Sequence, residues 1–246
     1  MSDLLPVRFS HLRAYGKSPM HGHAARTAPE RKPTAAMQLG SAVHALYSGS
    51  KDVVAYPGKV RRGAEWETFA ADFADSIILT GAEFSKAEAM VEALHACEVA
   101  QPYLQGEREQ TILFNWNGLP CRATPDVRGA TYLTELKTSV SSDPNHFPWH
   151  ARRMHYPAQM AMQALACPEA RDLYIVCVEA AYPHPVIVYH IEPQAWEWGS
   201  KLLVLWAERL KTCEESGAYP PYTDAVVPLD MPDEDVALEF PEEGEE

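Results

Sequence analysis

Residues 111–138, TILFNWNGLPCRATPDVRGATYLTELKT, set the architecture of this 246-residue chain. Asn117-Gly118 separates two runs of strand-forming residues, TILFNW and LPCRATPDV. An Asn-Gly pair supplies the positive φ angles of a tight type I′ turn, so a hairpin is predicted. Arg128-Gly129-Ala130 makes a second turn into TYLTELKT, which extends the hairpin to a three-strand antiparallel meander. Asp126 then ends the second strand and Glu135 lies in the third, so the pairing can bring the two carboxylates together across the turn at Gly129. Glu135 and Lys137 are two residues apart in one strand and project from the same face.

Outward from this stretch, helical spacing is read at residues 37–48, 64–76, 82–99 and 155–166. A long amphipathic helix over 193–213 begins at Glu192-Pro193, where proline suits the first turn. DLYIVCVEA and PVIVYHIE read as two further strands, and 141–150 as a loop. Residues 16–36, rich in Pro, Gly and basic residues, read as a loop. The expected fold is α/β: a central mixed sheet, the three-strand meander plus two strands, flanked by helices. One domain is expected over 1–223, followed by an acidic, disordered tail over 224–246.

Charge is unevenly placed. The formal net charge is -13, from 21 basic and 34 acidic residues, which at first sight argues against a nucleic-acid partner. Yet residues 224–246 hold ten acids and no Lys or Arg, whereas residues 1–62 carry a net +7 and residues 63–223 a net -10. A basic N-terminal part can still steer a polyanion if the fold gathers it on one face. Hydrophobic residues make up 46 % of the chain, enough for a folded core. No run of 18 apolar residues and no signal-peptide pattern occur, so no membrane association is expected and a cytoplasmic setting is the default. The five cysteines, Cys97, Cys121, Cys167, Cys177 and Cys213, are widely spaced and fit neither a disulfide framework nor a thiolate cluster.

Two carboxylates and an ammonium converging on a small volume suit a hard divalent cation, which takes oxygen ligands and lowers the pKa of a bound water. The same spacing also fits plain structural charges, although buried ion pairs are costly. Pro125-Asp126, eight residues, then Glu135-Leu136-Lys137 resembles the signature of the PD-(D/E)XK nuclease superfamily, whose restriction-endonuclease-like core matches the expected fold. Gly40-Ser41-Ala42-Val43-His44 resembles the helical histidine motif of the RecB-like branch, and Tyr156-Pro157-Ala158-Gln159 its glutamine motif. GKVRRGAEWETFAA, ILTGAEFSKAEAM and GLPCRATPDV look like the exonuclease VIII-type (RecE-like) recombination nucleases of phages and prophages, over about residues 8–220.

The resemblance implies that His44, Asp126, Glu135 and the backbone carbonyl of Leu136 ligate Mg²⁺, with Mn²⁺ as a substitute. It implies that Lys137 holds the attacking water, that Gln159 orients Lys137 or that water, and that Tyr156 lines the site. Glu109 matches a recurrent acid of the family. Gln163 departs from it, since a tyrosine usually stands there, and the cysteines of an iron–sulfur cluster are lacking. Arg61, Arg62, Arg152 and Arg153 fit two solvated surface pairs, and in a nuclease they are natural phosphate contacts. The implied activity is exonucleolytic hydrolysis from double-stranded DNA ends, 5′→3′, leaving 3′ single strands for a single-strand annealing partner. A ring-like homo-oligomer in the bacterial cytoplasm is implied as well. An endonuclease or single-strand nuclease of the same fold, and a DNA-end-binding scaffold with a decayed site, are the alternatives.

Overall fold

In the computed structural model, residues 5–29 and 32–229 are described. The chain opens with α1 (Phe9–Lys17), α2 (Pro19–Thr27) and α3 (Ala35–Ser48), then β1 (Val53–Tyr56), α4 (Ala64–Asp72), β2 (Ile77–Thr80) and α5 (Gly81–Ala96). A 3-10 turn leads to β3 (Glu107–Arg108), β4 (Ile112–Trp116), β5 (Leu119–Ala123), β6 (Val127–Arg128) and β7 (Tyr132–Ser139). The last part is α6 (Phe147–Arg153), α7 (Tyr156–Ala166), β8 (Asp172–Glu179), β9 (Val186–His190) and α8 (Pro193–Ser216).

The mixed α/β class is as read from the sequence. A five-stranded sheet runs β3-β6-β7-β8-β9. β7 and β8 pair in parallel through eight residues, and β9 turns back antiparallel on β8. Helices cover both faces. On one side Leu136, Val176 and Val178 pack with Ala42, Val43, Met90 and Leu94 of α3 and α5. On the other, Leu133, Ile175 and Cys177 pack with Phe147 and Met160 of α6 and α7. A third cluster joins α1, α7 and α8 to the β4–β5 hairpin through Leu12, Tyr15, Leu203 and Trp206. Each buried Val, Leu, Ile, Phe or Met among them contributes about 1.5–3 kcal/mol.

Four details differ from the sequence reading. The meander is split: β4 and β5 form their own ladder, while β6 pairs with β7 and β3 in the main sheet. Pro125 sits between them and has no N–H to continue a ladder, so the chain changes partners at Thr124-Pro125-Asp126. The hairpin turn itself is as expected, with Asn117 and Gly118 both at positive φ.

The segment 16–36 is not a loop throughout, because α2 occupies its middle. Ser18 caps the helix by accepting from the His21 N–H, Pro19 takes the first turn, and Arg26 pairs with Glu214 of α8 at 3.4 Å. Tertiary contact of this kind outweighs the loop-like composition. The loop 141–150 likewise runs into α6, and β1 and β2 add a small parallel ladder. The acidic tail expected from 224 lies, beyond Leu229, outside the described residues. Among the described residues no helix is long and apolar enough to cross a membrane.

Candidate active site

The β6–β7 register places Val127 opposite Thr134, so the chain leaves the ladder at Asp126 just beside Glu135. Asp126 Oδ2 accepts the backbone N–H of Leu136 at 2.8 Å, which fixes the carboxylate at the sheet edge. From the opposite side of the sheet, α3 brings His44 Nδ1 to 3.4 Å from Asp126 Oδ1. Gly40 keeps α3 close to β7 here, since a Cβ there would make a tight contact of 3.1 Å with Thr138 Oγ1.

On the other face of β7, Glu135 is 4 % exposed and fully engaged. Its Oε1 accepts from Lys137 Nζ at 2.7 Å and from Gln159 Nε2, and its Oε2 accepts from Gln163 Nε2 at 2.7 Å. Lys137 Nζ also donates to Gln159 Oε1 at 3.2 Å and lies 4.8 Å from the Tyr156 ring centroid. Gln159 and Gln163 are one helical turn apart on α7, so both amides face the strand. The helix comes close because Gly199 of α8 meets Pro157 without a side chain; a Cβ there would lie 2.5 Å from the Pro157 carbonyl.

Electrostatics follow from this packing. Burial raises the Glu135 pKa and the Asp126 charge raises it further, against the opposing pull of Lys137. Burial would also raise Asp126, but His44, Lys137 and the Leu136 N–H hold it below the usual carboxylate range. For Lys137, burial favours the neutral amine, yet Glu135 and Asp126 outweigh it and the pKa is raised. His44 behaves alike: burial lowers its pKa, the Asp126 charge and hydrogen bond dominate, and the net shift is upward.

Beside this cluster opens a cleft of about 1250 Å³, with Lys137, Gln159 and Gln163 among its lining. Its cationic lining comprises Arg8, Arg13 and Lys17 of the N-terminal segment, Arg122 of β5, Arg153 of α6 and Lys137 itself. Among the described residues no Asp or Glu lines it. The charge is felt nearby: His11 is pushed down to about 4 by burial and by Arg26, Arg8 and Arg122.

Of the four arginines singled out in the sequence, Arg153 alone lines this cleft. Arg61 is paired with Glu83 at 2.8 Å, and Arg152 lies over the Trp198 ring. Arg62 is exposed. Glu109 lines a smaller cavity with His44 and accepts from Ser48 Oγ at 3.0 Å. The sequence reading missed Arg8, Arg13, Lys17 and Arg122, and left Gln163 without a role.

A sheet edge that joins an aspartate, a strand Glu-x-Lys pair and a helical glutamine defines the PD-(D/E)XK type of fold. The chain belongs to the PDDEXK-like domain family of unknown function, DUF3799, whose profile matches residues 8–227. A candidate exonuclease from Eubacterium rectale has a similar crystal structure, with a TM-score of 0.67, 13 % identity, and coverage of 92 % of this chain and 90 % of that one. A phage-related exonuclease from Haemophilus somnus 129PT is 11 % identical, with a TM-score of 0.39 over 87 % of this chain and 97 % of that one. No curated protein matches the chain.

PDDEXK nucleases generally use divalent metals. Among the described residues no three His, Cys, Asp or Glu side chains form a ready-made cation cage. The Glu135 oxygens are held instead by Lys137, Gln159 and Gln163. The donor chemistry nevertheless fits such an ion. Two carboxylates raise each other's energy in a buried place, an imidazole stands beside them, and added positive charge would relieve the repulsion.

Proposed function

We propose that the chain is a Mg²⁺-dependent DNA exonuclease that hydrolyses phosphodiester bonds from double-stranded ends, 5′→3′. It would leave 3′ single strands for recombination, with a single-strand annealing protein as partner and a ring-like homo-oligomer as the working form. The observation that carries the reading is the Glu135–Lys137–Gln159 cluster beside Asp126, whose Lys137 and Gln159 line a cationic cleft with no acid among the described lining residues. The 5′→3′ polarity, the partner and the ring are drawn from the resemblance to exonuclease VIII-type enzymes.

His44, Asp126, Glu135 and the Leu136 carbonyl would hold the metal, which supplies Lewis-acid stabilisation of phosphate charge and acidifies water. Lys137, fixed between Glu135 and Gln159, donates toward the attacking water and the developing negative charge. Water adds to phosphorus, the P–O3′ bond breaks, and the leaving oxygen takes up a proton. Gln159 holds the Lys137 ammonium at its working position, and the Tyr156 ring shields its inner side. Arg8, Arg13, Lys17, Arg122 and Arg153 hold the phosphates leading to the cut.

A time course on duplex DNA, linear or covalently closed, with Mg²⁺ or with chelator, tests the proposal. Linear DNA labelled at the 5′ end should release its label early, and closed circles should persist. Efficient cutting of closed circles would make the enzyme an endonuclease. No cleavage of any DNA would leave a binding scaffold.

A further inference from the structure

We propose that the cationic cleft is also a docking surface for this chain's own acidic C-terminal segment, residues 224–246, which competes there with DNA. The proposal rests on the nuclease reading in one respect, that DNA is the competitor. Three observations carry it.

The first is position. After α8 the chain runs back along α2: the Met20 N–H donates to the Pro220 carbonyl at 3.1 Å, and Tyr219 stacks on His23 at 3.9 Å. Tyr222 lies against His21 at 5.3 Å between ring centroids, and His21 is itself part of the cleft lining. The acidic segment therefore departs from the rim of the cleft. The residues from 223 onward, if extended, span up to about 80 Å, far more than the cleft requires.

The second is charge. The segment carries ten acids and no Lys or Arg, whereas the described lining carries six cationic side chains and no acid. The two are complementary, and their attraction is strengthened by tethering, because a short linker holds the segment at a millimolar effective concentration.

The third is the apolar component. Leu205 on the cleft wall is 50 % exposed, and Leu202 and Met154 also line the cleft. The segment alternates acids with Val226, Leu229, Met231, Leu238 and Phe240. Val226 and Leu229 are 99 % and 90 % exposed, so no apolar partner covers them within the described chain. Acidic side chains facing the arginines and apolar ones facing Leu205 would satisfy both walls, whereas a sugar-phosphate strand matches only the cationic one. DNA with enough phosphates in reach displaces the segment, and short or poorly placed DNA does not, which raises discrimination.

The test uses the full-length chain with each Asp and Glu from Asp224 to Glu246 changed to Asn or Gln. At about 50 mM salt it should bind labelled duplex DNA 3- to 10-fold more tightly than the wild type, and the gap should close at about 300 mM as the intramolecular contact is screened. In a second arm without DNA, a synthetic 224–246 peptide is titrated into the neutralised chain by calorimetry. Binding is expected, and Arg13→Glu with Lys17→Glu should weaken it at least fivefold. Measurable but equal DNA affinities of the two chains would overturn the proposal, as would failure of the peptide to bind, and the segment would then serve another protein. If neither chain binds DNA, the nuclease reading fails, while the peptide titration still decides the docking.

Discussion

The two sides of the five-stranded sheet are built from the same kinds of element and do different work. On the α3–α5 side, Leu136, Val176 and Val178 meet Val43, Met90 and Leu94, and the basic pair Arg61-Arg62 is tied by Arg61 to Glu83 at the start of α5. On the α7 side, the same strand β7 presents Glu135 to two glutamines and Lys137 to a cationic cleft. One strand thus anchors a core with alternate residues and displays the candidate chemistry with the others. His44 belongs to the first side and reaches the site through Asp126, 3.4 Å away.

Substitutions that distinguish the two sides should differ in kind. Asp126→Asn, at the edge between them, is expected to lower cleavage by about 10³-fold or more while the chain stays folded, since the amide oxygen can still accept from the Leu136 N–H. Circular dichroism with a cleavage assay checks both halves of that expectation. Gln163→Leu removes the donor to Glu135 Oε2 and should cost about 10- to 100-fold in activity or metal affinity with the KM for DNA unchanged. A rise in KM alone would mean that Gln163 contacts substrate instead.

Arg13→Glu with Lys17→Glu should weaken DNA binding about tenfold and flatten its salt dependence, whereas Arg61→Glu with Arg62→Glu should leave both nearly unchanged. Equal effects of the two pairs would erase the contrast between the sides. The smallest effect concerns pH. His11 is held neutral by burial and by Arg26, Arg8 and Arg122, down to about 4. The unfolded chain then binds the extra proton between about 6.5 and 4, so stability falls as pH drops through that window. The loss is about 2 kcal/mol once solvent screening of the part-buried ring is allowed for, and His11→Gln should remove it in a denaturant series.

The sheet edge was legible in the sequence because strand geometry is local. A turn at Gly129 and a two-residue period are enough to put Asp126 beside Glu135 and to align Glu135 with Lys137. The split of the meander was legible in principle at Pro125, which cannot donate to a ladder. The cleft was not legible. Besides Lys137, its cations stand at 8, 13, 17, 122 and 153, far apart in the chain, and α2, which helps to frame it, has the composition of a loop. The adjacent arginines at 61 and 62 are the more conspicuous basic pair in the sequence, although tertiary pairing with Glu83 occupies one of them. In the sequence Gln163 stands out only as a departure from the family pattern, because a buried glutamine on a helix carries no periodic signal; its distance to Glu135 is what gives it a role.

The central claim is that the cluster on β7 and α7 hydrolyses DNA from its ends. The most direct measurement is release of a terminal label from linear duplex DNA by the wild type and by Asp126→Asn, each with Mg²⁺ and with chelator. Release by the wild type with Mg²⁺ alone, and by neither protein under the other conditions, is the expected result. Equal release by Asp126→Asn, or none by the wild type with Mg²⁺ or Mn²⁺, would contradict it.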